Sequence, residues 1–209
     1  MSAKVEICEH PLMQEILAEL RDRRTAPVQF RLLMEEAGLI LGIEALRGVR
    51  MQSAHVQTPM KGAAVTRIAQ PVVLTVVLRA GLGMLPRLSQ LLPAAPIGHI
   101  GLYRDEKTLN PLRYYVRLPK DLDKSLTVLM DPMLATGGSA SESIHILKTD
   151  GAKDIVLVTL LSTKPGIQRI QKDHPDVPIV TAAIDPVLNK IGYIVPGLGD
   201  AGDRLFGTE

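Results

Sequence analysis

The stretch Val128-Leu129-Met130-Asp131-Pro132-Met133-Leu134-Ala135-Thr136-Gly137-Gly138-Ser139-Ala140 places an apolar run, an acidic residue, a loop of small residues and a helix-like segment in succession. Gly137 and Gly138 allow unusual dihedrals and a close backbone approach to an anion, while Thr136, Ser139 and the free N–H groups of a helix start supply donors and partial positive charge. A phosphate fits there without a lysine. Asp131 is placed to accept hydrogen bonds from ribose hydroxyls or, through water, to help hold Mg²⁺. The same segment alone also reads as a capped strand-to-helix turn with a solvated aspartate, so its neighbours decide.

A second segment, Leu78-Arg79-Ala80-Gly81-Leu82-Gly83-Met84, again follows an apolar run, with glycines freeing backbone amides and Arg79 offering a two-pronged fork suited to pyrophosphate. Arg104, in Tyr103-Arg104-Asp105, stands beside another strand end, where ligands of open α/β sheets collect. Gly197-Leu198-Gly199-Asp200-Ala201-Gly202 matches the dinucleotide-binding pattern of glycines, but the seven residues after it cannot build the helix and second strand that pattern requires. It reads instead as a flexible-backbone loop with a carboxylate at its centre, able to lay N–H and C=O groups against a planar base. The Walker A pattern is absent, His10, His55, His99, His145 and His174 show no metal spacing, and no nucleophile elbow occurs.

These segments need a scaffold, and the sequence predicts one. Apolar residues recur three and four apart over Pro11 to about Arg24 and Pro27 to about Leu46, which predicts two amphipathic helices, the second with Thr25 as its cap. Runs at Val72–Leu78, Ile97–Leu102, Leu126–Met130, Ile155–Leu161 and Ile179–Ile184 predict strands, several buried on both faces. Helical segments at Gly83–Leu91, Ser139–Lys148, with Gly151 as a stop, and Gly166–Lys172 alternate with them. The prediction is an α/β fold with a mainly parallel sheet. Tyr103 to Pro119 breaks the alternation and reads as an antiparallel excursion or a hood over the site.

Apolar residues form 46% of the 209 and charged residues 22%, so disorder is excluded and one domain over 1–209 is expected. Twenty-four Lys and Arg against 22 Asp and Glu leave a charge of +2, no bulk reason to bind nucleic acid or a membrane. The lone Cys8 excludes an intramolecular disulfide, and no apolar run approaches the roughly 20 residues that span a bilayer. A cytoplasmic protein is expected.

Taken with Gly192-Tyr193-Ile194-Val195-Pro196-Gly197-Leu198-Gly199-Asp200-Ala201-Gly202-Asp203-Arg204, the Asp131 and Arg79 segments resemble uracil phosphoribosyltransferase, and the likeness runs from His10-Pro11-Leu12 to Phe206-Gly207-Thr208. The resemblance implies a type I phosphoribosyltransferase fold, a parallel sheet flanked by helices with a small hood and an N-terminal helical segment. It implies conversion of uracil and 5-phosphoribosyl 1-diphosphate (PRPP) to UMP and diphosphate in pyrimidine salvage. It assigns Asp131, Pro132, Met133, Leu134, Ala135, Thr136, Gly137, Gly138 and Ser139 to the ribose and 5-phosphate, Arg79 and Arg104 to the pyrophosphate end, and Asp200 to the metal side of PRPP. Ile194, Gly199 and Ala201, beside Asp200, would read uracil through backbone groups. The catalytic set is then Asp200, Arg79 and Asp131, with Mg²⁺ held mainly by PRPP and water rather than by protein ligands.

The family also implies a homodimer or homotetramer. GTP activates some bacterial members and is carried only as a candidate effector, because Val76-Val77-Leu78 lacks the usual proline and Arg117 stands where lysine is frequent. A regulator that keeps this fold and binds RNA, like the pyrimidine attenuation protein, would need a basic face, against which the even charge balance argues. Orotate as the base would need a cation in the base loop. Tyr193 to Ala201 holds none, the nearest being Arg204.

Overall fold

A computed structural model describes residues 4–104 and 111–208. The chain runs β1 (Val5–Ile7), α1 (Pro11–Arg21), α2 (Pro27–Ala45), β2 (Met51–Gln57), β3 (Gly62–Ile68), β4 (Val72–Leu78) and, after a tight 3-10 turn over Ala80–Met84, α3 (Leu85–Leu91). It continues through β5 (Ile97–Arg104), β6 (Pro111–Arg117), β7 (Leu126–Met130), β8 (Met133–Leu134), α4 (Gly138–Thr149), β9 (Asp154–Thr163) and α5 (Lys164–Asp173). It closes with β10 (Ile179–Asp185), β11 (Val187–Leu188), β12 (Ile194–Val195) and α6 (Ala201–Phe206).

The main sheet has the order β1-β10-β9-β7-β4-β5-β6, with β8 extending beside β9, and every pairing in it is parallel except that of β5 with β6. From β4 the chain crosses to β5 on one side, and from β7 it crosses to β9 and β10 on the other. The order therefore reverses between β4 and β7, and the crevice beyond their carboxyl ends is where an open α/β sheet takes its ligand.

Helices on both faces explain the unbroken apolar strands. Leu74 and Val76 of β4, with Leu126, Val128 and Met130 of β7, join α1, α2 and α6 in one core, while Val73, Val77 and Leu129 join α4 and α5 in the other. Alternate side chains point to opposite faces, so both must be apolar. The predicted strands and main helices all form. The Tyr103–Pro119 stretch supplies the antiparallel β6, and residues 105–110 of it lie outside the described structure.

Three local readings are corrected. Thr25 does not cap α2: its Oγ1 donates to Glu19 O at 2.6 Å, closing α1, and α2 starts at Ala26 with no side-chain cap. The helix expected from Gly83 begins at Leu85, because Ala80–Met84 winds more tightly to bring Gly81 against β7, where a Cβ would lie 2.7 Å from Met130 O. The glycine-rich segment around Asp200 is not a free loop, since Ala201 and Gly202 already belong to α6. β2 and β3 form a separate antiparallel hairpin with mostly exposed side chains, which no periodicity announced.

Candidate functional site

At the carboxyl end of β7 the chain turns from Asp131 into α4, and the turn is braced from below. Pro132 O accepts from Leu160 N at 3.0 Å and Leu161 N at 2.9 Å. Thr163 Oγ1 donates to Ala135 O at 2.6 Å while accepting from Gly166 N at 3.1 Å. Gly137 takes φ +77°, and a Cβ there would stand 2.9 Å from Gly166 O. That position suits only glycine. No side chain caps α4 at Gly137, which leaves its leading N–H groups for a ligand in a recess of about 20 Å³ lined by Leu134, Thr136, Gly137, Gly138 and Ser139.

Asp131 opens on one side to the crevice, yet burial of its carboxyl pushes its pKa up to about 7, opposed weakly by the Met133 N–H at 3.5 Å. A carboxyl poised there changes charge near neutrality.

Arg79 follows β4 across the crevice. Its Nη2 donates to Asp203 Oδ1 at 3.0 Å and its guanidinium carbon lies 5.7 Å from the Phe206 ring centroid. With Asp131, Met133, Ser139 and Asp200 it lines a cleft of about 260 Å³. Arg104 ends β5, beside β4 in the sheet; its side chain and Asp105 lie outside the described structure.

The third compartment, about 390 Å³, is lined by Ile194, Gly199, Asp200 and Ala201 together with Ala80, Asp131, Met133 and Ala135, and by Ile191, Gly192, Tyr193 and Gly202. Its wall is held by a half-buried arginine on a buried carboxylate: Arg21 Nη1 and Nη2 grip Asp185 at 2.8 and 2.6 Å, Arg21 also donates to Gly197 O at 2.8 Å, and Gly197 N donates to Asp185 Oδ2 at 2.9 Å. Burial pushes the Asp185 pKa up, but the Arg21 fork and the Gly197 N–H outweigh it and hold the carboxyl below its usual range. At Gly197 a Cβ would lie 2.1 Å from Ile194 O, so the loop folds on itself there only as glycine.

Asp200 caps α6, its Oδ1 accepting from Asp203 N at 2.9 Å, and its Oδ2 accepts from the Tyr193 hydroxyl at 3.3 Å. Among the described residues, no lysine or arginine lines the compartment. Arg204 is committed elsewhere, to Leu20 O, to Leu198 O at 2.8 Å, to Asp22 O at 2.7 Å and to the Phe30 ring at 4.3 Å.

The crevice thus brings together nearly all of the residues singled out from sequence. Pro132 lines none of the three compartments; its carbonyl serves the β9 backbone. Tyr193, Gly202, Asp203 and the Arg21–Asp185 pair were not singled out. Asp203 had a signal, the Asp200-Ala201-Gly202-Asp203 spacing of a capped helix start; the pairing of Arg21 with Asp185 had none.

A second polar cluster lies between α4 and α5. Ser141 Oγ donates to Asp173 Oδ2 at 3.1 Å and lies 3.1 Å from His174 Nε2. Asp173 engages the serine rather than the histidine, so no nucleophile, base and orienting acid line up. Burial lowers the His174 pKa, and the cluster ties the first turns of α4 to the end of α5.

Residues 7–208 match the model of the family described as uracil phosphoribosyltransferase. A uracil phosphoribosyltransferase of Thermus thermophilus is 48% identical over 207 residues, covering 99% of this chain and 100% of that protein. Among solved structures, a protein of Aquifex aeolicus superposes with a TM-score of 0.92 at 32% identity, over 98% of this chain and 99% of that one. An adenine phosphoribosyltransferase of Trypanosoma brucei, solved with AMP, pyrophosphate and ribose-5-phosphate, superposes with a TM-score of 0.56 at 14% identity, over 86% of this chain and 82% of that one, a likeness of fold alone. The mainly parallel sheet with helices on both faces is thus the type I phosphoribosyltransferase fold, and the chain belongs to the uracil phosphoribosyltransferase family.

Proposed function

We propose that this protein transfers the 5-phosphoribosyl group of PRPP to N1 of uracil, releasing diphosphate and UMP. The observation that carries the reading is the joining of the three compartments at Asp131 and Met133, which line all of them. A pocket whose described lining holds two aspartates and no lysine or arginine, an arginine-bearing cleft and a helix-start recess follow one another in the order of base, diphosphate-bearing ribose and 5-phosphate.

The α4 N–H groups and Ser139 hold the 5-phosphate, and the Asp131 carboxylate accepts from the ribose hydroxyls. Backbone groups of Ile194, Gly199 and Ala201 read the uracil edge and set N1 in line with the anomeric carbon. Departure of diphosphate leaves an oxocarbenium-like transition state, and Arg79 stabilises the charge gathering on the leaving group. Asp200, anchored through both oxygens, keeps a carboxylate beside the reacting centre. Asp131 and Asp200 share the cleft and would face Mg²⁺ carried by PRPP and water. Mg²⁺ so held neutralises diphosphate charge.

The protein works as a homo-oligomer in the cytoplasm. Val28, Leu32 and Ile43 form an exposed apolar stripe on α2, and Met51 and Ile68 are exposed on the β2–β3 hairpin, supporting an interface between copies. No helix among the described residues is long and apolar enough to cross a membrane. Sedimentation tests assembly, and a monomer at micromolar concentration overturns it.

The reaction is tested by UMP formation from PRPP and Mg²⁺ with uracil, orotate, hypoxanthine or adenine, each with and without GTP to test the effector. Turnover with uracil alone is expected. No turnover with uracil overturns the reading.

A further inference from the structure

We infer that Asp203 is a positioning residue that presents Arg79 to the diphosphate end of the substrate, an inference that rests on the reaction proposed above. The guanidinium is held on two sides. Its Nη2 donates to Asp203 Oδ1 at 3.0 Å, and the Phe206 ring lies 5.7 Å away. Its edge runs along α6 past Gly202, where a Cβ would stand 3.6 Å from Nη2 and 4.0 Å from Nε. Asp203 is itself fixed, since its Oδ1 accepts from Thr208 Oγ1 at 2.6 Å and its N–H donates to Asp200 Oδ1 at 2.9 Å.

The Arg79 side chain is 54% exposed and that of Asp203 31%, and an ion pair this open adds little to stability. Its use is geometric. An arginine free to rotate loses conformational freedom when it grips an anion, and a partner on one edge removes that loss in advance while the other N–H groups stay available. Asp203 also lowers the positive potential of the cleft, but solvent screening at such an exposed pair weakens that effect more than it weakens the fixed geometry. The contact crosses from the strand end that bears Arg79 to the helix capped by Asp200, so it also links the diphosphate cleft to the base compartment.

The test compares the full-length protein with its Asp203→Ala, Thr208→Val, Arg79→Ala and Asp203→Ala/Arg79→Ala variants. Two readouts are taken: steady-state kinetics with uracil and PRPP, and calorimetric binding of inorganic diphosphate with Mg²⁺. Asp203→Ala is expected to raise KM for PRPP and Kd for diphosphate roughly tenfold, with KM for uracil changed by less than about twofold. Thr208→Val shifts the same constants less. With Arg79 already alanine, the Asp203 substitution leaves diphosphate affinity unchanged. Equal losses for uracil and PRPP, which a merely structural role for α6 would produce, overturn the inference, as does unchanged or tightened diphosphate binding. If Asp203→Ala does not fold, Thr208→Val decides by the same split. A wild-type protein that makes no UMP overturns the proposed reaction alone, because the diphosphate titrations still test the Arg79–Asp203 coupling.

Discussion

Arg21, which ends α1, and Asp185, which ends β10, grip each other through two hydrogen bonds of 2.8 and 2.6 Å across 164 residues of sequence. Between them they also take both the N–H and the C=O of Gly197, in the loop that walls the base compartment. The N-terminal helix and the end of β10 thereby fix this loop from two sides.

Removing the cation should show what that grip is worth. Arg21→Ala leaves the Asp185 carboxylate without its cation, only the Gly197 N–H remaining, and should cost about 3 kcal/mol in urea unfolding at pH 7. Because the folded-state pKa of Asp185 is lowered, the stabilisation is present above about pH 4 and is lost as pH falls through the lowered value. The unfolding midpoints of variant and wild type should therefore converge in acid. A constant difference down to pH 2 would refute the assignment.

Asp131 has the opposite sign. With its folded pKa near 7, the folded protein holds a proton that the unfolded chain has released above about pH 4, so this group lowers stability as pH rises through 7. Asp131→Asn should raise stability by about 2 kcal/mol at pH 8, allowing for the opening to the crevice, and by almost nothing at pH 4. On the proposed role of ionised Asp131 in accepting from the ribose hydroxyls, kcat/KM for PRPP should fall below pH 7 in the wild type, and that acid limb should be absent from the residual activity of the variant.

Gly137→Ala tests the recess at the start of α4, proposed above to hold the 5-phosphate. Its φ of +77° and the 2.9 Å approach to Gly166 O should cost about 2–3 kcal/mol in stability. KM for PRPP should rise roughly tenfold or more as the start of α4 shifts. Gly151→Ala, also at positive φ but with open space around it, should leave KM unchanged.

Orotate should be a poor substrate. Among the described residues no lysine or arginine lines the base compartment, and Arg204, three residues beyond Ala201, spends its guanidinium on three carbonyls and the Phe30 ring. A carboxylate buried without a partner should lower kcat/KM relative to uracil roughly a thousandfold. Comparable values for the two bases would mean that the pocket offers a cation after all.

The strands Val72–Leu78 and Leu126–Met130 were legible to the residue because burial on both faces leaves an unbroken apolar run. The turn from Asp131 through its glycines into α4 was legible because a strand end, a small-residue loop and a helix start are adjacent in sequence. The β2–β3 hairpin was not, since its alternation is short and weak, resting on Ala54 and Val56 against Ala63 and Val65, which are only half-buried, and β1 is three residues long. α6 was misread because Gly199, Ala201 and Gly202 suggest mobility, while its order comes from the Asp200 cap and from Arg79, a partner 124 residues away from Asp203. Spacing along a chain says nothing about such pairs.

That separation has a consequence for how the molecule assembles. Contacts that close loops of 124 and 164 residues draw on elements that must already be packed before the contact can form. The walls held by Arg21–Asp185 and by Arg79–Asp203 should therefore form late in folding and open early in unfolding. Substitutions at Arg21, Asp185 or Asp203 should accelerate unfolding while leaving the refolding rate nearly unchanged.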